Sequence, residues 1–86
     1  MNHSDIKLRF GNRLKQLRKD KKLSQDQLAQ KSGLTRSYIS DVERGSRNIS
    51  LENIYTLSIA LDVTLAFLLD LSDSIEEAGT KNNKNE

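Results

Sequence analysis

The sequence predicts an all-α domain of five short helices, and three observations predict it. From Asp5 onward, apolar residues recur at spacings of three and four, the period of a helix face. Serine or threonine residues stand just ahead of these runs, where a side-chain oxygen caps free helix amides. No segment alternates apolar and polar residues as a strand would, and the β-branched residues all fall in helical or capping contexts. With no proline and only four glycines in 86 residues, helix ends must be set by caps and glycine stops. A chain of this size makes one domain with a modest core.

The first helix is expected from Asp5 to about Lys21, with Ile6, Phe10, Leu14 and Leu17 on its buried face. Lys7, Arg9, Lys15, Arg18, Lys19 and Lys22 lie opposite. Gly11 interrupts this helix at roughly 1 kcal/mol relative to alanine, which a close contact with another helix would explain. Ser24 and Gln27 form a capping-box pattern that starts a second helix running to Ser32 and burying Leu28 and Ala29. Gly33 supplies the left-handed residue that ends it. Thr35 caps a third helix, which passes through Val42 to about Arg44 and is stopped by Gly45. The fourth begins at Ser50 and extends to about Leu61, with Leu51, Ile54, Leu57, Ile59 and Leu61 inward. Thr64 caps the last, which reaches about Leu71. Residues 1–4 read as a flexible N-terminus, 5–73 as the folded domain, and 74–86 as a disordered tail without apolar periodicity.

Composition narrows the function classes. There is no cysteine, so neither disulfides nor thiolate metal sites hold the chain together, and a reducing cytoplasmic location is expected. His3 is the only histidine and would be alone as a metal ligand, so no metal site and no cofactor are expected. No apolar run approaches the roughly 18 residues of a membrane span. An enzyme is not expected either, for want of a cysteine nucleophile, a usable histidine base or a phosphate-binding glycine loop. Net charge is +2, but residues 1–50 hold twelve Lys and Arg against five Asp and Glu, whereas residues 51–86 hold two against seven. A polyanionic partner for the first half, or merely a solvated basic face, would account for that asymmetry.

The stretch from Ser24 to Gly45, SQDQLAQKSGLTRSYISDVERG, has the geometry of a helix-turn-helix, two helices joined by a tight glycine turn. In that motif the second helix can lie in a DNA major groove. At about 100° per residue, Arg36, Ser40, Arg44, Ser37 and Asp41 share one broad polar arc, while Ile39 and Val42 form a small apolar seam with Tyr38 on the border. Arg36 near the helix start can present a bidentate fork to guanine O6 and N7. Ser37 and Ser40 are short enough for the helix to approach base edges. Asp41 could accept from cytosine N4, but a carboxylate facing phosphates is repelled, and it is expected instead to hold Arg44 through an i, i+3 pair.

LSQDQLAQKSGLTRSYISDVERG followed by SLENIYTLSIALDV resembles the phage repressor (Cro/cI-like, Xre-type) helix-turn-helix family. The likeness covers about Ile6 to Leu71 and rests on Gln25, Leu28-Ala29, Gly33, Ile39, Val42 and the Glu-Arg-Gly ending. It implies a compact, lambda repressor-like five-helix domain, usually dimeric, that binds operator DNA and regulates transcription. Within the family, TRSYISDVERGSRNIS is most similar to controller proteins of restriction-modification systems. The resemblance places Arg36, Ser37 and Ser40 at base-reading positions. It sets Gln25, beside the capping Ser24, against a phosphate, as the free amides of a helix N-terminus favour. Arg44, Arg47 and Asn48 would clamp the backbone, while Tyr38, on the border, would either stack against the domain or, the favoured reading, send its hydroxyl to a phosphate. It further implies a partly buried Arg18–Glu43 salt bridge that is structural.

The final helix, TLAFLLDL, is too apolar for one buried face. With Leu65 and Leu68 turned inward, Phe67, Leu69 and Leu71 are left for a partner surface, read here as a homodimer contact. The leading expectation is therefore a dimeric regulator bound to double-stranded DNA at a pseudo-palindromic operator. The alternative is an antitoxin-like DNA-binding protein that chiefly neutralises a protein partner through its acidic C-terminal segment. Contacts with RNA polymerase or a toxin are not legible in the sequence.

Overall fold

The computed structural model describes residues 3–72, with side chains from Asp5 onward. The tail read as 74–86 lies outside the described residues. Among the described residues five helices follow one another: α1 (His3–Asp20), α2 (Gln25–Ser32), α3 (Arg36–Glu43), α4 (Leu51–Leu61) and α5 (Leu65–Leu68). Among the described residues there is no strand. α1 opens inside the four residues read as a flexible N-terminus, because Asp5 puts a carboxylate in the first turn, where the free amides and the helix dipole favour it.

Side-chain oxygens begin each of the next four helices. Ser24 Oγ accepts from Gln27 N at 3.0 Å while Ser24 N donates to Gln27 Oε1 at 2.8 Å, so both halves of the capping box are made. Thr35, Ser50 and Thr64 accept from Tyr38 N, Asn53 N and Phe67 N respectively. α2 ends on Gly33 at φ 78°, whose amide donates to Ala29 O at 2.9 Å. Without a side chain, that residue adopts the left-handed turn freely and lets α3 leave at once.

The core is formed by Phe10, Leu14 and Leu17 of α1, Leu28 and Ala29 of α2, Ile39 and Val42 of α3, Leu57 and Leu61 of α4, and Leu68 of α5. Several inward expectations are corrected. Leu51 and Ile59 are 73% and 62% exposed, and Ser58 is buried in their place. The buried Leu57, Ser58 and Leu61 and the half-buried Ile54 form one helix face, whereas 51, 55 and 59 form a second, exposed stripe. Ile6 and Leu65 are also exposed, in the first turns of α1 and α5. α5 is a single turn and does not reach Leu71. Two hydrogen-bond sets, one long-range and one local, compete with its continuation. Arg13 Nη2 donates to Phe67 O at 2.6 Å, and the Asp70 carboxylate accepts from Ser72 N at 3.1 Å and Ser72 Oγ at 2.6 Å. The Ser72 hydroxyl and amide hold the Asp70 carboxyl below its ordinary pKa.

Two contacts fix α1 against α3. Gly11 is buried where α1 meets the end of α3, and a Cβ there would press into the carbonyl oxygens of Val42 and Glu43, the latter at 2.6 Å. Beside it, Arg18 Nε donates to Glu43 Oε2 at 2.6 Å and Arg18 Nη2 to Glu43 Oε1 at 3.0 Å, with both residues buried. Arg18 Nη1 donates to Leu23 O at 2.7 Å, and Gln25 Nε2 donates to Glu43 Oε1 at 3.0 Å. The pair therefore binds α1, the α1–α2 connection, the start of α2 and the end of α3.

Two substitutions test these contacts. Arg18→Ala strands Glu43 in the interior and should lower unfolding stability by about 3–5 kcal/mol in denaturant titration. Gly11→Ala would gain roughly 1 kcal/mol in an open helix. Here the added methyl group meets backbone on α3, so a loss of about 1–3 kcal/mol is expected instead.

Candidate nucleic-acid interface

α3 is held on its inner side by Ile39 and Val42, which are 0% and 1% exposed, and at its C-terminal end by Glu43. Its remaining positions form the outward arc. Arg36 and Ser37 are exposed in the first turn, and Ser40 is half-buried one turn later. Arg36 projects beside α2, with Nε 3.6 Å from Asp26 Oδ1. That separation is an ion-pair distance in which no direct hydrogen bond is made. Ser40 Oγ accepts from Arg44 Nη1 at 2.6 Å, which leaves the hydroxyl proton available to another acceptor.

Asp41 gathers the arginines that follow. Arg44 Nη2 pairs with Asp41 Oδ1, and Arg47 Nη2 lies 3.4 Å from Asp41 Oδ2. The Arg47 guanidinium also stacks on the Tyr38 ring, 4.7 Å from its centroid, and Asn53 Nδ2 donates to Tyr38 Oη at 3.0 Å. Tyr38 is thus clasped between the loop after α3 and the first turn of α4, with its own O–H proton unspent. Ser46 Oγ donates to Asp41 O at 3.0 Å, tying the same loop to α3.

At the start of α2, Ser24 is exposed as the cap and Gln25 is half-buried. The Gln25 amide gives one of its two N–H donors to Glu43, so only the second can turn outward. Asn48 is exposed and lies at the rim of a small apolar groove lined by Ile6, Phe10, Ile49, Ile54, Leu69 and Leu71. Of the three residues assigned to a partner surface, Leu69 and Leu71 therefore border this groove beside α1. Phe67 stands half-exposed over the buried Arg13 guanidinium, 4.6 Å from its ring centroid.

The structure brings Arg36, Ser37, Ser40, Arg44, Arg47 and Tyr38 onto α3 and its trailing loop, with Ser24 and Gln25 at the adjoining start of α2. Sequence reasoning missed Asp26, Asn53 and Arg13. The first two act across elements, where spacing within one helix carries no signal. Arg13 lies between Phe10 and Leu14 along the apolar seam, and that position was the available clue. Among the described residues, no group of His, Cys, Asp and Glu is arranged to hold a metal ion, and no helix is long and apolar enough to cross a membrane.

The helix-turn-helix family HTH_3 matches residues 14–68. Control protein C.MunI of Mycoplasma sp is 50% identical over 66 residues, covering 76% of this chain and 89% of that protein. The crystal structure of the restriction-modification controller protein C.AhdI from Aeromonas hydrophila matches with a TM-score of 0.76 at 50% identity, covering 79% of this chain and 99% of that one. SinR, a master regulator for biofilm formation solved in complex with DNA, matches with a TM-score of 0.67 at 42% identity, covering 71% of this chain and 98% of that one. The match extends from the middle of α1 through α5 and includes the whole of α2, the glycine turn and α3, so the chain belongs to the HTH_3 helix-turn-helix family of Xre-type, Cro/cI-like proteins.

Proposed function

We propose that the protein is a sequence-specific transcriptional regulator that binds a pseudo-palindromic DNA operator as a homodimer, and that it controls the genes of a restriction-modification system. The observation that carries the reading is the outward arc of α3, with Arg36 and Ser37 exposed at its start, on a helix anchored from behind by a buried ion pair. The controller proteins among the relatives support the narrower assignment. They lend nothing to the antitoxin alternative.

In this reading Arg36 reaches guanine O6 and N7, while Ser37 and the free proton of Ser40 approach neighbouring base edges. Ser24 and the second amide proton of Gln25 meet a phosphate at the N-terminus of α2, where unpaired amides favour an anion. Arg44, Arg47, Asn48 and the Tyr38 hydroxyl line the opposite flank and take the backbone on that side. Phosphate contacts set position and affinity, and the first turn of α3 sets preference. No catalytic step is involved, and the cytoplasm is the compartment in which such a regulator works.

Dimerisation follows from apolar surface. Phe67 is 50% exposed, and α4 adds the exposed stripe of Leu51, Tyr55 and Ile59. A second copy covering this surface would set two α3 helices about 34 Å apart, one turn of duplex. Leu69 and Leu71 make a smaller contribution, since they turn toward the groove beside α1.

Selection of sites from random duplexes, followed by titration at several salt concentrations, tests the function. Specific affinity should fall steeply with salt as counterions are released, and a flat response would remove the case for a phosphate-binding face. Arg36→Ala should relax preference at one position by about 1–3 kcal/mol, whereas Arg47→Ala should weaken all duplexes alike. In sedimentation, Phe67→Glu should give a folded monomer; a persistent dimer would place the interface elsewhere.

A further inference from the structure

We propose that Asp26 is a positioning residue for base recognition, orienting the Arg36 guanidinium so that its two terminal nitrogens face the groove. The inference rests on Arg36 being the base-reading residue. Asp26 stands in the first turn of α2 and Arg36 in the first turn of α3, so the pair bridges the two helices at the open mouth of the motif.

Three observations carry it. First, the nearest approach of the carboxylate is to Nε, at 3.6 Å, and the Nη nitrogens make no hydrogen bond among the described residues. With Nε turned to Asp26, the end-on fork of Nη1 and Nη2 is left to offer two parallel N–H donors to O6 and N7. Second, the side chains are 65% and 70% exposed, so the pair adds little to folding. Third, Asp26 places a negative charge near a helix N-terminus that otherwise suits phosphate. A carboxylate there opposes general DNA affinity, and holding the arginine for one base compensates in selectivity. The other carboxylate of the face, Asp41, holds Arg44 and Arg47, so the two acids divide the arginines between them.

The arrangement makes Asp26 a specificity determinant that touches no DNA. An untethered arginine samples many rotamers and can settle on any phosphate nearby. A tethered one is directed to the base edge before the complex forms, and the neighbouring carboxylate repels the phosphate that would capture it.

The experiment uses the full chain and duplex operators obtained by site selection. Arg36→Ala first identifies the base pair whose preference it erases. The ratio of affinities for the operator and for the same duplex changed at that base pair is then measured for Asp26→Asn and Asp26→Glu. Asp26→Asn is expected to reduce the ratio about 5- to 10-fold, with affinity for unrelated duplex equal or higher and thermal melting unchanged. Asp26→Glu, which keeps the charge on a longer stem, should retain more of the ratio than Asn. In the Arg36→Ala background, Asp26→Asn should leave the ratio where it is. An unchanged ratio in Asp26→Asn alone, with all duplexes bound more tightly, overturns the proposal and leaves Asp26 as a source of repulsion only. The same loss with and without Arg36 overturns it as well. If Arg36→Ala erases preference at no position, the base-reading assignment itself fails, and that result is separate from any effect of Asp26.

Discussion

The buried pair of Arg18 and Glu43 is the constraint on which the geometry of the motif depends. A carboxylate taken from water must recover its hydrogen bonds, and Glu43 recovers three, two from Arg18 and one from Gln25. The guanidinium spends its remaining inner donor on Leu23 O. Few alternative packings satisfy all four bonds at once, so the pair works mainly by excluding them. It acts with Gly11, whose missing side chain allows α1 to touch the last carbonyls of α3. The C-terminal end of α3 is consequently fixed in height and direction, while its N-terminal end projects with Arg36.

The same logic, with weaker interactions, shapes the exposed side. Asp41, Tyr38 and Asn53 hold Arg44, Arg47 and the following loop in place without burying them. Surface pairs of this kind contribute little to stability, but they reduce the number of conformations each arginine can occupy. Arginine loses less freedom per hydrogen bond when its planar fork is already oriented. The face is thus less cationic than its arginine content suggests, because Asp26 and Asp41 offset part of the charge. Such a balance favours discrimination over raw attraction to any polyanion.

Local features were legible in the sequence because their physics is local. Ser24 with Gln27, Thr35, Ser50, Thr64 and Gly33 mark helix ends through contacts a few residues long, and each appears where the spacing places it. What failed was the choice among apolar residues on α4. Leu51, Ile54, Leu57, Ile59 and Leu61 look alike by hydropathy, yet only the face at 54, 57, 58 and 61 meets another helix, and Ser58 fits there because its hydroxyl donates to Tyr55 O at 2.7 Å. α5 was read too long because nothing in its own sequence announces that Arg13, 54 positions away, will bind Phe67 O. The link between Arg18 and Glu43 was available only from family likeness, since positions 25 residues apart share no periodic relation. Asp26 was missed for the same reason: its partner stands on the next helix.

The misassigned residues of α4 have a common physical cause. A chain of this size cannot bury all of its large apolar side chains, and among the described residues the helices enclose a core of ten buried hydrophobic residues. Leu51, Tyr55 and Ile59 recur at intervals of four along α4, and Leu65 and Phe67 follow on α5. Scattered singly, exposed residues of this kind need no explanation, but a helical stripe that runs the length of α4 is a second amphipathic face. An isologous contact through such a face would bury it without lengthening the chain, and its twofold axis would repeat the reading helix at a fixed distance. The half-exposed Phe67 ring is already supported from beneath by Arg13, so it would meet a partner as a rigid surface with little side-chain freedom left to lose. Stability of the domain and spacing of its recognition helices would then both be set by the same apolar surplus.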